Sequence, residues 1–148
     1  MDLALLDTNV LVYAADRLSA FHGQAAELVD RGLRLSGRYC IAPQNLVEFA
    51  AVVTRPRLVR EPWPPEEVLR VTSELYRSRR LRKIYPRRGT VVRTMREGAA
   101  LGTRGPVWYD LFLAVTMRDA GIEIIITEDV SHFRRFSFLT ALRIQEAS

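Results

Sequence analysis

Four carboxylates in this chain stand among apolar neighbours that solvent exposure would not explain. Glu48 falls inside Leu46-Val47-Glu48-Phe49-Ala50-Ala51-Val52-Val53, and Asp110 inside Trp108-Tyr109-Asp110-Leu111-Phe112-Leu113-Ala114-Val115. Asp7 closes the run Leu3-Ala4-Leu5-Leu6, while Asp129 follows Ile124-Ile125-Ile126-Thr127-Glu128. A buried carboxylate without a partner is costly, so each calls for a nearby cation. An arginine would serve any one of them alone. If all four converge, their repulsion requires a concentrated positive charge, and hard divalent ions prefer carboxylate oxygens, which points to Mg2+ or Mn2+. Zinc is disfavoured, because Cys40, His22 and His132 show no ligand spacing and both histidines lie in polar contexts expected at a surface. Such an ion lowers the pKa of water, orients a phosphate and stabilises the leaving oxygen, so the expected chemistry is phosphodiester hydrolysis by metal-activated water. No side-chain nucleophile is needed, and the chain has neither a Gly-x-Ser-x-Gly elbow nor a glycine-rich phosphate loop.

The charge balance agrees with an anionic substrate. Among 148 residues, 22 basic side chains face 17 acidic ones, a net charge of +5 with a pI near 10.0. Seven of the twelve positions from 77 to 88 are basic: Arg77, Arg79, Arg80, Arg82, Lys83, Arg87 and Arg88, with Tyr76 and Tyr85 beside them. This strip is a candidate RNA-binding surface; the plainer reading is a solvated face. Cys40 is the only cysteine, so it forms no internal disulfide and reads as a small buried apolar residue. No apolar run approaches the ~20 residues needed to span a bilayer, and no cationic signal start precedes the first apolar stretch, so a cytoplasmic protein is expected.

The elements that must position these acids alternate in type. Short strands are expected at 3–6, 39–42, 84–85, 124–126 and within 139–144; helices at 10–15, 20–35, 43–55, 66–81, 90–101 and 107–120. Thr8 or Asn9 is the expected cap of the first helix, and Pro43 fits a first helical position. Strands separated by helices favour one α/β domain over residues 1–148, with a mainly parallel central sheet covered on both faces. Ligands of such sheets collect at the carboxyl ends of the strands, where Asp7 and Asp129 would lie.

Leu5-Leu6-Asp7-Thr8-Asn9-Val10-Leu11, Glu48-Phe49 leading to Thr54-Arg55-Pro56, Asp110 opening an apolar helix, and Ile126-Thr127-Glu128-Asp129 together resemble the PIN-domain nucleases, and most of all the VapC toxins of bacterial toxin–antitoxin pairs. The likeness runs from the first strand to about residue 136, with no diagnostic motif between Arg57 and Gly105. It implies a three-layer α/β/α PIN-like fold with Asp7, Glu48, Asp110 and Asp129 as metal-binding acids, and with Asn9 and Thr127 as polar supports close to them. Glu128 is a second candidate for the fourth acid. Where the family often carries a further acid before a phenylalanine, this chain reads His132-Phe133. The resemblance also implies an endoribonuclease, an antitoxin that covers the site, and a homodimer. Asn9 could equally cap a helix and Thr127 make a turn hydrogen bond.

Two other readings stay open on the sequence. A haloacid-dehalogenase-like phosphatase also begins with an Asp after its first strand, although its usual second Asp is Asn9 here and its lysine is hard to supply. A non-catalytic RNA- or partner-binding domain of the same fold is the other.

Overall fold

The computed structural model describes residues 2–147. Five strands, β1 (Ala4–Leu6), β2 (Tyr39–Ile41), β3 (Arg82–Lys83), β4 (Ile124–Ile126) and β5 (Thr140–Leu142), form one sheet in the order β3-β2-β1-β4-β5, and every pairing is parallel. From β1 the chain winds outward through β2 and β3, then returns to the other side of β1 with β4 and β5. The switch point therefore lies between β1 and β4, the place where a doubly wound sheet opens a crevice at its carboxyl edge.

Parallel neighbours need helical crossovers. Helices α1 (Thr8–Ala15), α2 (His22–Arg34), α3 (Pro43–Val53) and α4 (Pro65–Arg77) carry the first two, and α5 (Thr90–Ala100), α6 (Val107–Asp119) and α7 (Val130–Arg134) the others. Alternation along each strand sends residues to opposite faces. Ala4, Leu6, Tyr39, Ile41 and Ile126 pack with α1 to α4. Leu5, Cys40, Ile125 and Ala141 pack with α6 and α7. The result is the expected three-layer α/β/α arrangement, with β1 and β2 buried on both sides. Among the described residues no helix is long and apolar enough to cross a membrane.

Several boundaries differ from expectation for local reasons. Asp7 itself, not Thr8 or Asn9, caps α1: its backbone is extended and its Oδ1 accepts from the Thr8 amide at 2.8 Å. Helix α4 stops at Arg77 instead of near 81, because Ser78 turns the chain and its hydroxyl accepts from the amides of Arg80 and Leu81. The third strand falls on Arg82–Lys83 instead of Ile84-Tyr85. It is an edge strand, which tolerates charge, and Ile84 continues the ladder by donating its amide to the Ile41 carbonyl at 3.0 Å. Helix α7 and a final 3-10 helix (Ile144–Ala147) were not foreseen.

Candidate active site

The switch point delivers two of the four acids directly. Asp7 follows β1 and Asp129 follows β4, and these strands pair in register, Leu6 beside Ile126. The Asp7 amide donates to the Ile126 carbonyl at 3.0 Å, which extends the ladder into the site. The third and fourth acids come from helices on opposite faces of the sheet. Pro43 at the start of α3 sets its direction, and Glu48 is half-buried one turn further on. Asp110 lies in the first turn of α6 and is also half-buried. Asp7, Glu48, Asp110 and Asp129 line one cavity of about 340 Å³, with Thr8, Asn9, Val12, Tyr13, Val52, Leu58, His132 and Phe133 completing its walls.

Thr127 organises the floor. Its side chain is fully buried, and its hydroxyl donates to Asp7 Oδ2 at 2.8 Å while accepting from Asn9 Nδ2 and from the Asp129 amide, both at 3.0 Å. One hydroxyl thus spends its single proton and both lone pairs on three site residues. Asn9 also donates to Asp129 Oδ2 at 3.2 Å and accepts from the Glu128 amide at 3.3 Å. It bridges the loops after β1 and β4 and caps no helix. Thr8, which sequence reasoning treated only as a capping candidate, has a comparable part: its hydroxyl donates to Glu48 Oε2 at 2.8 Å and accepts from Asn45 Nδ2 at 3.2 Å. Gln44 adds a bond to Glu48 Oε1 at 2.8 Å. Gln44 stands four residues before the acid on the same helix, a spacing the sequence displays, whereas Thr8 comes from another helix, a relation no local pattern displays.

The electrostatics follow from this placement. Burial pushes the Asp7 carboxyl up to about 6; the hydrogen bonds from Thr127 and Thr8 oppose the rise, and the charges of Glu48 and Asp129 add to it. Asp110 is also raised, first by burial and further by Glu48 and Asp129, against the pull of His132 and Arg135. Among the described residues none of the four acids forms an ion pair with an arginine; Asp110 meets the imidazole of His132, with Nδ1 3.5 Å from Oδ2. Glu128 is different. Its carboxylate meets Arg143 at 3.2 Å and accepts from the Ile144 amide at 2.9 Å, so it is paired beside the last strand and does not line the cavity that the other acids share.

Oxygen donors, mutual repulsion and no resident arginine suit a hard divalent cation. Among the described residues no three carboxylate, imidazole or thiol side chains are drawn together tightly enough to hold an ion as they are oriented. Asp7, Glu48 and Asp129 instead rest on neutral hydroxyl and amide donors. The four acids thus suit such an ion in the chemistry of their donors, and as they are oriented no three of them come together around one position.

The basic strip is divided by β3. Arg87 and Arg88 follow the strand; the Arg87 amide donates to Thr90 Oγ1 at 2.8 Å and the Thr90 hydroxyl to Asp119 Oδ2 at 2.6 Å, which sets Arg87 near the end of α6 opposite Asp110; Arg77, Arg79 and Arg80 precede the strand. Among the described residues none of these five, nor Arg82, forms an ion pair. Lys83 departs from its expected place in this surface. Its ammonium donates to the carbonyls of Leu75, Ser78 and Leu81, at 3.2 Å for Leu75 and 2.5 Å for Leu81, which ties α4 to β3 and leaves little for a phosphate. Tyr76 and Tyr85 meet through their hydroxyls at 2.7 Å.

Comparison with known proteins gives a consistent result. The PIN domain profile matches residues 4–139. Ribonuclease VapC48 of Mycobacterium tuberculosis (strain CDC 1551 / Oshkosh) is 30% identical over 130 residues, covering 88% of this chain and 89% of the relative. Among solved structures, VapC20 of Mycobacterium tuberculosis, a Sarcin-Ricin loop cleaving toxin, superposes with a TM-score of 0.64 at 16% identity over 86% of this chain and 92% of its own. The DNA-bound VapBC of Salmonella typhimurium gives a TM-score of 0.65 at 20% identity over 97% and 99%. These structures share the fold. A profile that takes in all four acidic segments, and a relative aligned along nearly the whole length, exceed a local likeness: the chain belongs to the PIN-domain family.

Proposed function

We propose that the chain is a divalent-metal-dependent endoribonuclease, a single nuclease domain acting as the toxin of a VapBC-type toxin–antitoxin pair. The observation that carries this reading is the convergence of Asp7, Glu48, Asp110 and Asp129, from four distant segments, on one cavity without an arginine among them. Mg2+ or Mn2+ held by these carboxylates would acidify water and stabilise charge on the leaving oxygen of a phosphodiester. The protein's own part is to hold the acids in place. Thr127 and Asn9 tie Asp7 to Asp129, and Thr8 and Gln44 orient Glu48. Val12, Val52, Leu58 and Phe133 supply apolar wall beside them. Arg87 and Arg88, with Arg77, Arg79, Arg80 and Arg82 further along, would engage the RNA backbone.

A toxin of this type acts on RNA in the cytoplasm, is neutralised by a cognate antitoxin, and pairs as a homodimer; the solved neighbours include VapBC complexes. The phosphatase alternative finds no support: Lys83, the only lysine of the chain, is committed to backbone carbonyls, and Asn9 occupies the place of the second aspartate. The test is cleavage of labelled structured RNA with Mg2+ or Mn2+, and with chelator. Asp7→Asn and Asp110→Asn should each lower the rate by about a hundredfold or more, since even outer partners of a metal site are worth 10–100-fold, while circular dichroism stays that of the folded protein. RNA that is bound and never cut by the metal-loaded wild type would instead favour a binding module.

A further inference from the structure

Resting on the nuclease reading above, we propose that a second cavity beside the acids, lined by Arg104 and Arg135, seats the RNA phosphate next to the one that is cut. This cavity has a volume of about 320 Å³, with Thr103 beside the two arginines and Leu101, Val107 and Phe136 as its apolar part. Three pairs of residues join it to the active site. Val107 and Asp110, His132 and Arg135, and Phe133 and Phe136 each place one member in either cavity, three positions apart in the chain. Residues so spaced on a helix are neighbours, with Cβ atoms about 5–6 Å apart. The turn of α7 carries on past its end, since the Phe136 amide donates to the Phe133 carbonyl at 3.0 Å, and the two phenyl rings stand 6.3 Å apart between the cavities. The step from one cavity to the other is therefore about one helical turn, comparable with the step between consecutive phosphates of a strand.

The charges there await an anion. Among the described residues neither Arg104 nor Arg135 forms an ion pair, whereas Arg93 and Arg118 nearby in the sequence are committed to Asp119 and Glu97. Arg135 is close enough to Asp110 to pull its carboxyl down, which puts its charge at the border of the active site. Arg104 is held by its loop: the Gly102 and Thr103 amides donate to the carbonyls of Ala99 and Gly98 at 3.2 and 2.9 Å, and Gly102 and Gly105 take φ values of 65° and 60° that favour glycine. Arg87 sits towards the far end of α6, so the strip around β3 does not supply this contact. A guanidinium stays charged and offers phosphate paired donors. A phosphate held here offsets the repulsion between the acid cluster and an incoming RNA, and because the contact is to backbone it sets register, not sequence.

The test reads binding, by fluorescence anisotropy, of short RNAs to the full chain carrying Asp7→Asn, whose slow cleavage leaves the RNA intact. Each RNA has one phosphate replaced by a neutral methylphosphonate, and the scissile position is mapped beforehand with the wild type. Replacement of the phosphate next to the scissile one should weaken binding about tenfold, the range of a charge-assisted hydrogen bond. Adding Arg104→Gln or Arg135→Gln should weaken binding of the unmodified RNA to a similar extent and make that one replacement nearly silent. Arg88→Gln, in the strip, should weaken binding while leaving the replacement effect in full. An effect of the replacement that survives both Arg104→Gln and Arg135→Gln, even if the pair takes up inorganic phosphate, would overturn the subsite and leave the nuclease reading intact. A wild type that cuts no RNA with Mg2+ or Mn2+ would overturn both, because no scissile position would exist.

Discussion

Asp7 caps a helix, accepts two hydrogen bonds and stands within reach of two other carboxylates, all from a buried position. Burial raises its carboxyl from 3.8 to about 6. As pH rises the unfolded chain sheds this proton first, so the metal-free fold loses stability between these two values and stays weakened above the higher one. A shift of about two units corresponds to about 3 kcal/mol. Asp7→Asn removes the buried charge and keeps a good capping residue, but gives up one acceptor for the Thr127 hydroxyl. The variant should therefore be more stable than the wild type by about 1–2 kcal/mol at pH 8 in chelator, with the advantage gone below pH 4. Paired thermal melts at the two pH values measure this, and a wild type equal to the variant at pH 8 would contradict it. The acids themselves were legible because each interrupts an apolar run. Of the supports, Asn9 and Thr127 are expected from the family resemblance alone, whereas Thr8 looks like an ordinary helix-start residue until the fold brings Glu48 beside it.

Elements were most legible where buried periodicity is unbroken. Ile124–Ile126 and Val107–Asp119 form almost as expected, since continuous apolar runs have few alternatives once they are covered on all sides. The reading failed at the exposed edge, where Lys83 and Ser78 decide the end of α4 and the start of β3 through bonds to backbone groups. The packing of α5 on α6 rests on Gly98, where an added Cβ would fall 2.2 Å from Trp108 Cζ3. Gly98→Ala should therefore destabilise the protein by about 1–3 kcal/mol, as overpacking does. Gly23→Ala, in α2 with nothing within 4 Å of the new methyl, should stabilise by about 0.5–1 kcal/mol, because glycine is a poor helix former. Urea unfolding of the two variants distinguishes them by sign, and matching shifts would mean the Trp108 contact carries no strain.

On the scale of the whole molecule, the net charge of +5 coexists with a carboxylate-lined cavity, and the sheet topology reconciles them. The positive strip runs along the β3 edge, while the acids gather two strands away at the β1–β4 crevice. Arg87→Ala with Arg88→Ala should weaken RNA binding and flatten its dependence on salt by about 1–2 in logarithmic slope, close to one phosphate contact each. Titrating RNA into a cleavage-inactive background at several salt concentrations gives that slope, and an unchanged value would assign these arginines to solvent. The central strand pair has a further consequence for biosynthesis. Asp7 precedes its neighbours Thr127 and Asp129 by some 120 residues. A growing chain that has passed Asp7 therefore carries no assembled scissors until the whole span as far as Asp129 has left the ribosome, so the two halves of the crevice wait on one another through most of this domain's synthesis.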